Sequence, residues 1–379
     1  LKDGRKSKVK PVWEYFTARV AEYTPEKVSE ITGVPAESIE RAAKIHATRI
    51  DPSTGYGNGG VQYQLAIEHS CNAIAMVRAM DTYIGLSGNW DVPAGHRGGT
   101  QGEFIFKAGL GAVAPGIPNI SAEEFNKTLG IEDYPLLGWW QGWADDASVW
   151  KAIETGDPYP VKAGWCSTGD FMCMSNSLQK WKAFPNLDFF VCEELFMTET
   201  AKYADVILPG RSYAEKEGTF TNTERRVQRV RKAVDGPAGA RLDTEVFADI
   251  MRRMGYDQPT LTGAQLMDEV ASLTPSYAGI SHARLDSAAV AGQGLQWPCT
   301  GPDHPGTRIM HEGAFSRGLG GYSLAQYRPS AEQPDEEFPL VMMTGRVLAQ
   351  YNAQAMTGRT EGLNEIAGES FIELNSVDA

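Results

Sequence analysis

A polar stretch between residues 215 and 228 carries the densest set of side chains that could bind a ligand. It combines carboxylates, which accept hydrogen bonds, with a lysine and arginines, which donate them, and with hydroxyl and amide groups, which do both. So many paired donors and acceptors favour a long polar loop with an extended polar ligand against it, the alternative being a solvated charge run. The residues are Glu215, Lys216, Glu217, Thr219, Thr221, Asn222, Thr223, Glu224, Arg225, Arg226 and Gln228.

Short apolar runs ahead of this stretch predict the sheet that must position it. Residues 204–208 (ADVIL) are continuously apolar and end at Pro209 and Gly210, which is typical of a strand buried on both faces. Residues 160–166 and 188–192 predict two parallel strands with a helix over 177–183 between them. Because ligands bind where such strands end, we expect the polar residues after them to face one crevice.

Helical patterns occupy much of the first hundred residues. Residues 13–23 and 36–48 show helical periodicity, and Thr24 followed by Pro25 predicts a helix start between them. A longer apolar helix is predicted over residues 63–85. Helices and strands together predict an α/β protein.

Two motifs give the chain a family resemblance. TETAKYADVILP at residues 198–209 and EKEGTFTNTERRVQRV at residues 215–230 together resemble the core signature of the molybdopterin oxidoreductases. The second motif, continued by RKAV, is most similar to formate dehydrogenase catalytic subunits. The resemblance implies doubly wound α/β domains that bind a pterin dinucleotide, followed by the start of a C-terminal β-barrel domain. It also implies two molybdopterin guanine dinucleotides and a molybdenum or tungsten ion.

The segment over residues 85–102 bears on the substrate. Formate dehydrogenases carry a glycine-rich run here whose arginine orients the formate carboxylate, and Arg97 matches that arginine. A planar, permanently charged guanidinium suits bidentate pairing with a carboxylate. The run is shorter than in the family, His96 precedes the arginine, and Gly99 replaces the usual Gln. We predict Arg97 and His96 as catalytic residues for formate or another small anion, the alternative being a loop arginine bonded to backbone carbonyls.

A glycine-rich turn, YGNGGVQ at residues 56–62, is a second candidate contact with the cofactor. Glycines let a backbone approach a ligand closely, and the amides at a helix N-terminus favour anions. The family places a similar turn, ending in Gln, against a pterin. The resemblance therefore implies Asn58 and Gln62 as cofactor-binding residues, although a structural turn remains an alternative.

Further dinucleotide contacts are implied beyond the predicted strands. Glu194 stands where relatives carry an acidic partner for guanine, or else it is a carboxylate favoured by a helix N-terminus. Lys216 would neutralise a phosphate, while Asp243 would meet the nucleotide or cap a helix over 244–254. A loop after a strand predicted at 340–343 resembles the opening pterin-dinucleotide loop of the β-barrel. The other implied cofactor-binding residues are Gly169, Asp170, Glu193, Gly218, Asn222, Arg225, Thr344, Gly345, Arg346, Val347, Leu348, Gln350, Tyr351 and Asn352.

Composition excludes some classes of function. A net charge of −13 lacks the basic footprint of a nucleic-acid surface, and no apolar run approaches the roughly 18 residues of a membrane span. The cysteines lack the paired spacing of zinc or iron–sulfur sites, so we predict no metal ligand here and expect reduced, mostly buried thiols. This usage favours the cytoplasm and leaves the periplasm open. The cysteines are Cys71, Cys166, Cys173, Cys192 and Cys299.

The resemblance also implies how the chain is organised. It matches an internal section of a longer subunit, whose metal ligand and 4Fe-4S cluster would lie upstream. Residues 1–110 would be the end of one α/β domain and the return into the pterin-binding domain. Residues 111–333 would be the α/β pterin-dinucleotide-binding domain with a lid or insert, and residues 334–379 the truncated beginning of the C-terminal β-barrel.

The implied function is oxidation of formate to carbon dioxide, with electrons passed to iron–sulfur clusters and iron–sulfur partner subunits. Three alternatives stay open: a thiosulfate or polysulfide reductase, a hydratase that uses the same cofactor without net redox change, and a non-catalytic scaffold paralogue. Departures from the formate pattern at Gly99 and at Asp170-Phe171 motivate the first two. A tryptophan-rich segment at residues 139–150 adds to them, and it is interpreted as a lid or a subunit contact.

Overall fold

The computed structural model describes residues 6, 8–63, 65–96, 121–135, 144–174, 177–222, 224–290, 292–315 and 318–379. The chain forms two compact units, and its described strands all lie in unit 2. Unit 1 comprises residues 1–101 with 307–342, and unit 2 comprises residues 102–306 with 343–379. The chain therefore leaves unit 1, builds most of unit 2, and returns.

The helices of unit 1 lie in its N-terminal segment. Its second helix begins as predicted, because the Thr24 hydroxyl accepts from the Lys27 amide, Pro25 occupies the first helical position, and Gly33 ends it with φ +72°. The helices predicted over 13–23 and 36–48 are confirmed. The helices are α1 (Val12–Ala21), α2 (Pro25–Thr32), α3 (Ala36–Ala47), α4 (Leu65–Glu68) and α5 (Ala73–Leu86), with a 3₁₀ turn at Pro52–Thr54.

The prediction of a single helix over residues 63–85 was wrong, since the helix is interrupted by a break between α4 and α5. At the break, the Ser70 hydroxyl accepts from the Asn72 backbone amide at 3.1 Å. The Asn72 side chain then donates to the carbonyl of Arg328 and accepts from its amide, both at 2.8 Å. Local side-chain bonds of this kind compete with helical ones, and here they tie the break to a distant segment of the same unit.

A parallel sheet forms the first half of unit 2, with strand order β1-β2-β3. The predicted parallel strands and the helix between them are confirmed. The burial predicted for residues 204–208 was wrong, because β3 lies at an edge of the described sheet and Val206 and Ile207 are 37% and 38% exposed. The elements are α6 (Ala122–Asn126), α7 (Asp146–Thr155), β1 (Ala163–Ser167), α8 (Ser177–Ala183), β2 (Phe189–Glu194) and β3 (Val206–Pro209).

An apolar core holds α7 and α8 against one face of this sheet. Trp150 of α7 packs against Phe171 and Phe184, and Phe184 meets Phe190 of β2 edge to face at 4.8 Å between ring centroids. Trp150 thus lies in a core and not in a lid. The other tryptophans of the segment, Trp139, Trp140 and Trp143, lie outside the described residues.

The prediction of a long polar loop over residues 215–228 was wrong, since most of these residues form a β-hairpin. Strands β4 and β5 pair antiparallel, and β5 pairs with β6. Val227 of β5 is 1% exposed and belongs to an apolar core with Trp297, while the other residues of the two strands are half-buried or exposed. The elements are β4 (Gly218–Thr221), β5 (Arg226–Val230), α9 (Asp243–Arg253), α10 (Gly263–Leu273), α11 (His282–Leu285), β6 (Leu295–Gln296) and α12 (Glu361–Ala367).

The segment from residue 318 onwards contains no strand among its described residues. The strand predicted at 340–343 was therefore wrong for this chain, because no neighbouring strand in the described ranges supplies the hydrogen bonds it needs. Its side chains are between half and fully exposed. In the part of the chain that the structure describes, no helix is both long and apolar enough to cross a bilayer.

Candidate functional site

The carboxyl ends of β1 and β2 bring Ser167 and Glu193 together in unit 2. These residues are direct neighbours in the strand register, and the Ser167 hydroxyl donates to Glu193 Oε2 at 2.9 Å. Trp165 Nε1 in turn donates to the Ser167 hydroxyl at 2.9 Å. Glu193 is 2% exposed, and its Oε1 has no hydrogen-bond partner among the described residues. One carboxylate oxygen is thus anchored, and the other can accept from a ligand.

An ion pair lies beside this carboxylate. Lys216 Nζ stands 2.7 Å from Asp243 Oδ2, and both side chains are about one-third exposed. Asp243 does not cap α9: Leu242 is the N-cap residue, and its amide donates to Glu245 Oε2 at 3.1 Å. The cap interpretation of Asp243 was therefore wrong, and its carboxylate instead holds Lys216.

Burial raises the pKa of the Glu193 carboxyl, and the Asp243 carboxylate raises it further, against the opposing Ser167 hydroxyl bond. Because the folded pKa lies above the unfolded value, the unfolded state loses its proton first as the pH rises. The free energy of unfolding should therefore fall from about pH 4.5 upward, through the raised pKa.

Glu193→Gln should remove this pH dependence, because the amide cannot ionise. Between pH 4.5 and pH 8, we expect the free energy of unfolding of the variant to rise by about 1–3 kcal/mol relative to that of the wild type. Urea unfolding at both pH values measures it. Glu199→Gln, an exposed carboxylate beside Lys202, is the control and should change the free energy of unfolding by less than about 0.5 kcal/mol. A pH-independent difference between Glu193→Gln and the wild type would contradict the assignment.

Other predicted cofactor-binding residues of this unit hold the surrounding backbone. Asp170 Oδ1 accepts from the amide and hydroxyl of Thr200 at 2.9 and 2.8 Å, which joins the loop after β1 to the TETAKYAD segment. Glu194 accepts from the neighbouring Leu195 amide at 2.7 Å. Gly169 accepts from Cys166 Sγ, and a Cβ added at Gly218 would meet no atom within 4 Å.

The hairpin turn between β4 and β5 uses two more predicted residues. Asn222 Oδ1 accepts from the amides of Glu224 and Arg226 at 2.9 and 3.1 Å, so it forms the turn. Arg225 is 4% exposed with φ +65°, and its guanidinium donates to the Trp297 carbonyl and lies over the Trp297 ring. Both side chains hold the backbone of the hairpin and its neighbouring segment in place.

The C-terminal segment of unit 2 lies against the loop that follows β2. Arg359 donates to the Met197 carbonyl at 2.8 Å and covers the Phe196 ring at 4.9 Å. Gln350 is 7% exposed, and its Nε2 bonds to Asn364 and to the Ala367 carbonyl, while its Oε1 has no partner in the described ranges. The adjoining predicted residues are mostly exposed: Thr344, Gly345, Arg346, Val347, Leu348, Tyr351 and Asn352.

Unit 1 brings the glycine-rich turn against the turn that ends at His96. The Gly57 amide donates to the Pro93 carbonyl at 2.8 Å, and Gly59 forms a bridge with Gly95. Asn58 Nδ2 donates to the Thr48 carbonyl at 2.6 Å, which fixes the turn to the end of α3. Of the other predicted residues, Gln62 is exposed, and Arg97 lies outside the described residues.

His96 is buried in this unit, at 8% exposed, and its Nδ1 accepts from the Val61 amide at 3.3 Å. Burial lowers the pKa of His96, although the carboxylates of Asp81 and Asp91 oppose the shift. Burial also raises the pKa of Asp81. The imidazole is therefore neutral at pH 7, and the bond to Nδ1 places its proton on Nε2.

Comparison with known proteins identifies the family of this chain. Residues 113–253 match the family model described as Molybdopterin oxidoreductase. The chain belongs to the molybdopterin oxidoreductase family. It is 46% identical over 268 residues to the dopamine dehydroxylase of Eggerthella lenta, a match that covers 68% of this chain and 26% of that protein.

Formate dehydrogenases of the family match along more of the chain. The F420-dependent formate dehydrogenase 2 subunit alpha of Methanococcus maripaludis is 36% identical over 377 residues, 95% of this chain and 52% of that protein. Formate dehydrogenase H of Escherichia coli is 28% identical over 97% of this chain and 51% of its own length. This chain thus spans about half the length of these family members.

A solved structure shares the fold. The acetylene hydratase from Pelobacter acetylenicus superposes with a TM-score of 0.54 at 23% identity, over 72% of this chain and 39% of that protein. This likeness supports the mixed α/β architecture of the family.

The family implies a molybdopterin cofactor with molybdenum or tungsten, and unit 2 offers groups that fit a pterin nucleotide. The open Oε1 of Glu193 needs an N–H donor, because a buried acceptor without a partner is unfavourable. Lys216 is exposed enough to approach a phosphate while Asp243 holds it. No group of three or more metal-ligating side chains occurs in the ranges that the structure describes.

The burial of the cysteine side chains differs from the prediction. The prediction of mostly buried cysteines was wrong, since Cys71 and Cys173 are exposed, Cys166 is half-buried, and Cys192 and Cys299 are buried. Cys166 and Cys192 face each other across β1 and β2. Burial, with the neighbouring Cys192 and Glu194, raises the pKa of Cys166 to about 12.

Cys166 should therefore resist alkylation. At pH 8 its thiolate fraction is roughly 10³-fold below that of a thiol with the ordinary pKa of 9.0. We expect iodoacetamide to label exposed Cys71 in the folded protein and to leave Cys166 unmodified, as measured by peptide mass spectrometry. Denatured protein is the control and should be labelled at both positions. Equal labelling rates in the folded protein would contradict the environment described for Cys166.

Proposed function

We propose that this chain is part of the catalytic subunit of a molybdenum or tungsten enzyme that oxidises formate to carbon dioxide, releasing one proton and two electrons. The observation that carries the proposal is the extent of similarity. Three F420-dependent formate dehydrogenase alpha subunits match over 95% to 97% of this chain, whereas the dopamine dehydroxylase matches over 68%.

Unit 1 would supply the groups that face the substrate. Arg97 would pair with the formate carboxylate, and neutral His96 would offer its Nε2–H as a donor without adding a second positive charge. Asn58 and Gln62 of the glycine-rich turn would contact a pterin. When bound, the cofactor would supply the two-electron redox chemistry, and the protein would provide orientation and electrostatics.

Unit 2 would hold the nucleotide ends of two molybdopterin guanine dinucleotides. Glu193, with Glu194 beside it, would accept from the N–H groups of a guanine. Lys216 would neutralise a phosphate. The parallel sheet of unit 2 would belong to a doubly wound domain. The loop at 344–352 would bind the second dinucleotide at the start of a β-barrel.

The same proposal includes the route of the electrons. We propose that they pass to a 4Fe-4S cluster and to iron–sulfur partner subunits in the cytoplasm. The similarity to subunits named alpha supports such an assembly.

A second candidate is reductive removal of an aromatic hydroxyl group, in which two electrons and two protons convert an aryl alcohol to the arene and water. The 46% identity to the dopamine dehydroxylase favours it, since this exceeds the identity to any formate enzyme named above. His96 and Gly99, which depart from the formate pattern, agree with a different substrate.

The two candidates run in opposite redox directions, so one pair of assays separates them. Full-length protein with measured molybdenum or tungsten content should reduce benzyl viologen with formate and should not oxidise reduced methyl viologen with dopamine. Activity with dopamine only would favour the dehydroxylase. Neither activity in metal-loaded protein would contradict both candidates.

A further inference from the structure

Asn89 is the most completely enclosed polar side chain near the two turns of unit 1. It is 0% exposed. Its Oδ1 accepts from the Asn58 amide at 2.6 Å, and its Nδ2 donates to the His46 carbonyl and the Ser87 hydroxyl, each at 3.0 Å. The carboxamide therefore joins the glycine-rich turn to the end of α3.

The backbone of the same residue holds the second turn. The Asn89 carbonyl accepts from the His96 amide at 2.7 Å, and the next residues bridge back, since the Asp91 amide donates to the His96 carbonyl at 2.8 Å. One residue thus fixes the glycine-rich turn through its side chain and the His96 turn through its main chain.

The backbone is closely packed between the two turns and within the turn that ends at His96. A Cβ added at Gly57 would lie 2.7 Å from Gly95 Cα and 2.9 Å from Asn89 Oδ1. A Cβ at Gly95 would lie 2.3 Å from the Asn89 carbonyl oxygen. The absence of a side chain at Gly57 therefore lets the two turns approach this closely.

We infer that Asn89 is a positioning residue, which sets the glycine-rich turn at a fixed offset from the turn that carries His96 into Arg97. The roles of the two turns, one toward a pterin and one toward the substrate, rest on the proposed function. The coupling itself is a property of this unit.

The carboxamide is the chemical requirement. Its oxygen serves a backbone donor while its nitrogen serves two acceptors, and no other side chain of this length offers both. Aspartate keeps the acceptor for Asn58 but turns a second anionic oxygen toward the His46 carbonyl. Alanine removes the side-chain partner of the Asn58 amide and of the His46 carbonyl, while the Ser87 hydroxyl keeps its bond to the Ile84 carbonyl.

The test compares Asn89→Ala and Asn89→Asp with Asn72→Ala in the full-length protein. Asn72 also bonds a distant backbone, that of Arg328, in the same unit. Hydrogen exchange read by mass spectrometry follows residues 57–61 and 92–96. Pterin and metal content are measured, and kcat and KM are determined per metal for formate or for whichever substrate is turned over.

Asn89→Ala should speed exchange at both turns by at least about tenfold and raise KM by roughly 10–100-fold. Asn89→Asp should retain the fold and show the same changes to a smaller extent. Both variants should retain less pterin than the wild type. Asn72→Ala should change exchange around residues 72 and 328, with kinetics within about twofold of the wild type.

Faster exchange at one turn but not the other would overturn the coupling. Faster exchange at both turns with unchanged KM, kcat and pterin content would show a merely structural role. If the wild type turns over neither substrate, the proposed function fails, while exchange and pterin content still decide the role of Asn89. If Asn89→Ala does not fold, Asn89→Asp decides it.

Discussion

Arg97→Ala in the full-length protein should lower formate-dependent dye reduction by at least roughly 10³-fold, with pterin and metal content unchanged. The guanidinium would hold the carboxylate with two parallel N–H bonds and remain cationic throughout the reaction. Its removal takes away both the charge and the orientation of the substrate. Because formate has no other group by which it can be held, little residual positioning remains.

The measurement is steady-state kinetics per metal, with two further variants for comparison. Arg97→Lys keeps the charge but loses the planar fork, so it should recover part of the rate and mainly raise KM. Arg252→Ala removes an arginine of α9 that bonds to the Gln258 carbonyl at the surface of unit 2, and it should leave the kinetics within about twofold. A rate above one-tenth of the wild type in Arg97→Ala would refute the role.

Gly95→Ala should unfold or strongly loosen unit 1, at a cost of about 3 kcal/mol or more in the free energy of unfolding. The added Cβ would stand 2.3 Å from the Asn89 carbonyl oxygen and 2.7 Å from Val92 Cγ2. The carbonyl cannot move away from this Cβ without losing the hydrogen bond that it accepts from the His96 amide at 2.7 Å. Activity should fall together with stability, because the turn that precedes Arg97 would no longer be held in position.

Gly85→Ala is the matched control for this substitution. Gly85 lies in α5, and a Cβ there would meet no atom within 4 Å. Alanine favours a helix over glycine, so this variant should be neutral or gain up to about 1 kcal/mol. Urea unfolding of both variants provides the comparison. Equal stabilities for Gly95→Ala and Gly85→Ala would contradict the close packing within the turn that ends at His96.

The local elements of the fold could be predicted from the sequence, because local patterns determine them. The ADVIL run and its neighbouring apolar runs predicted the parallel strands, and Thr24 with Pro25 predicted the start of α2. The hairpin β4–β5 was missed because its polar residues suggested a loop. The apolar Val227 within this polar run, which is the buried position of β5, was the available signal.

The site was harder to predict, since a polar side chain can serve a ligand or a backbone with the same atoms. Asn222 and Asp170 were predicted to bind the cofactor, and both satisfy backbone amides in the structure. Asn89 was not singled out at all. Its partners lie 31 and 43 positions away in the chain, and no local pattern reveals such contacts.

The discontinuity of unit 1 has a consequence for synthesis on the ribosome. The contact between Asn72 and Arg328 joins residues 256 positions apart, so α1–α5 cannot obtain their final neighbours until residues 307–342 emerge. At typical elongation rates, residues 102–306 occupy roughly 10–40 s of translation. During that interval the rings of Trp13 and Phe16 lack the Tyr322 ring that packs against them in the finished unit.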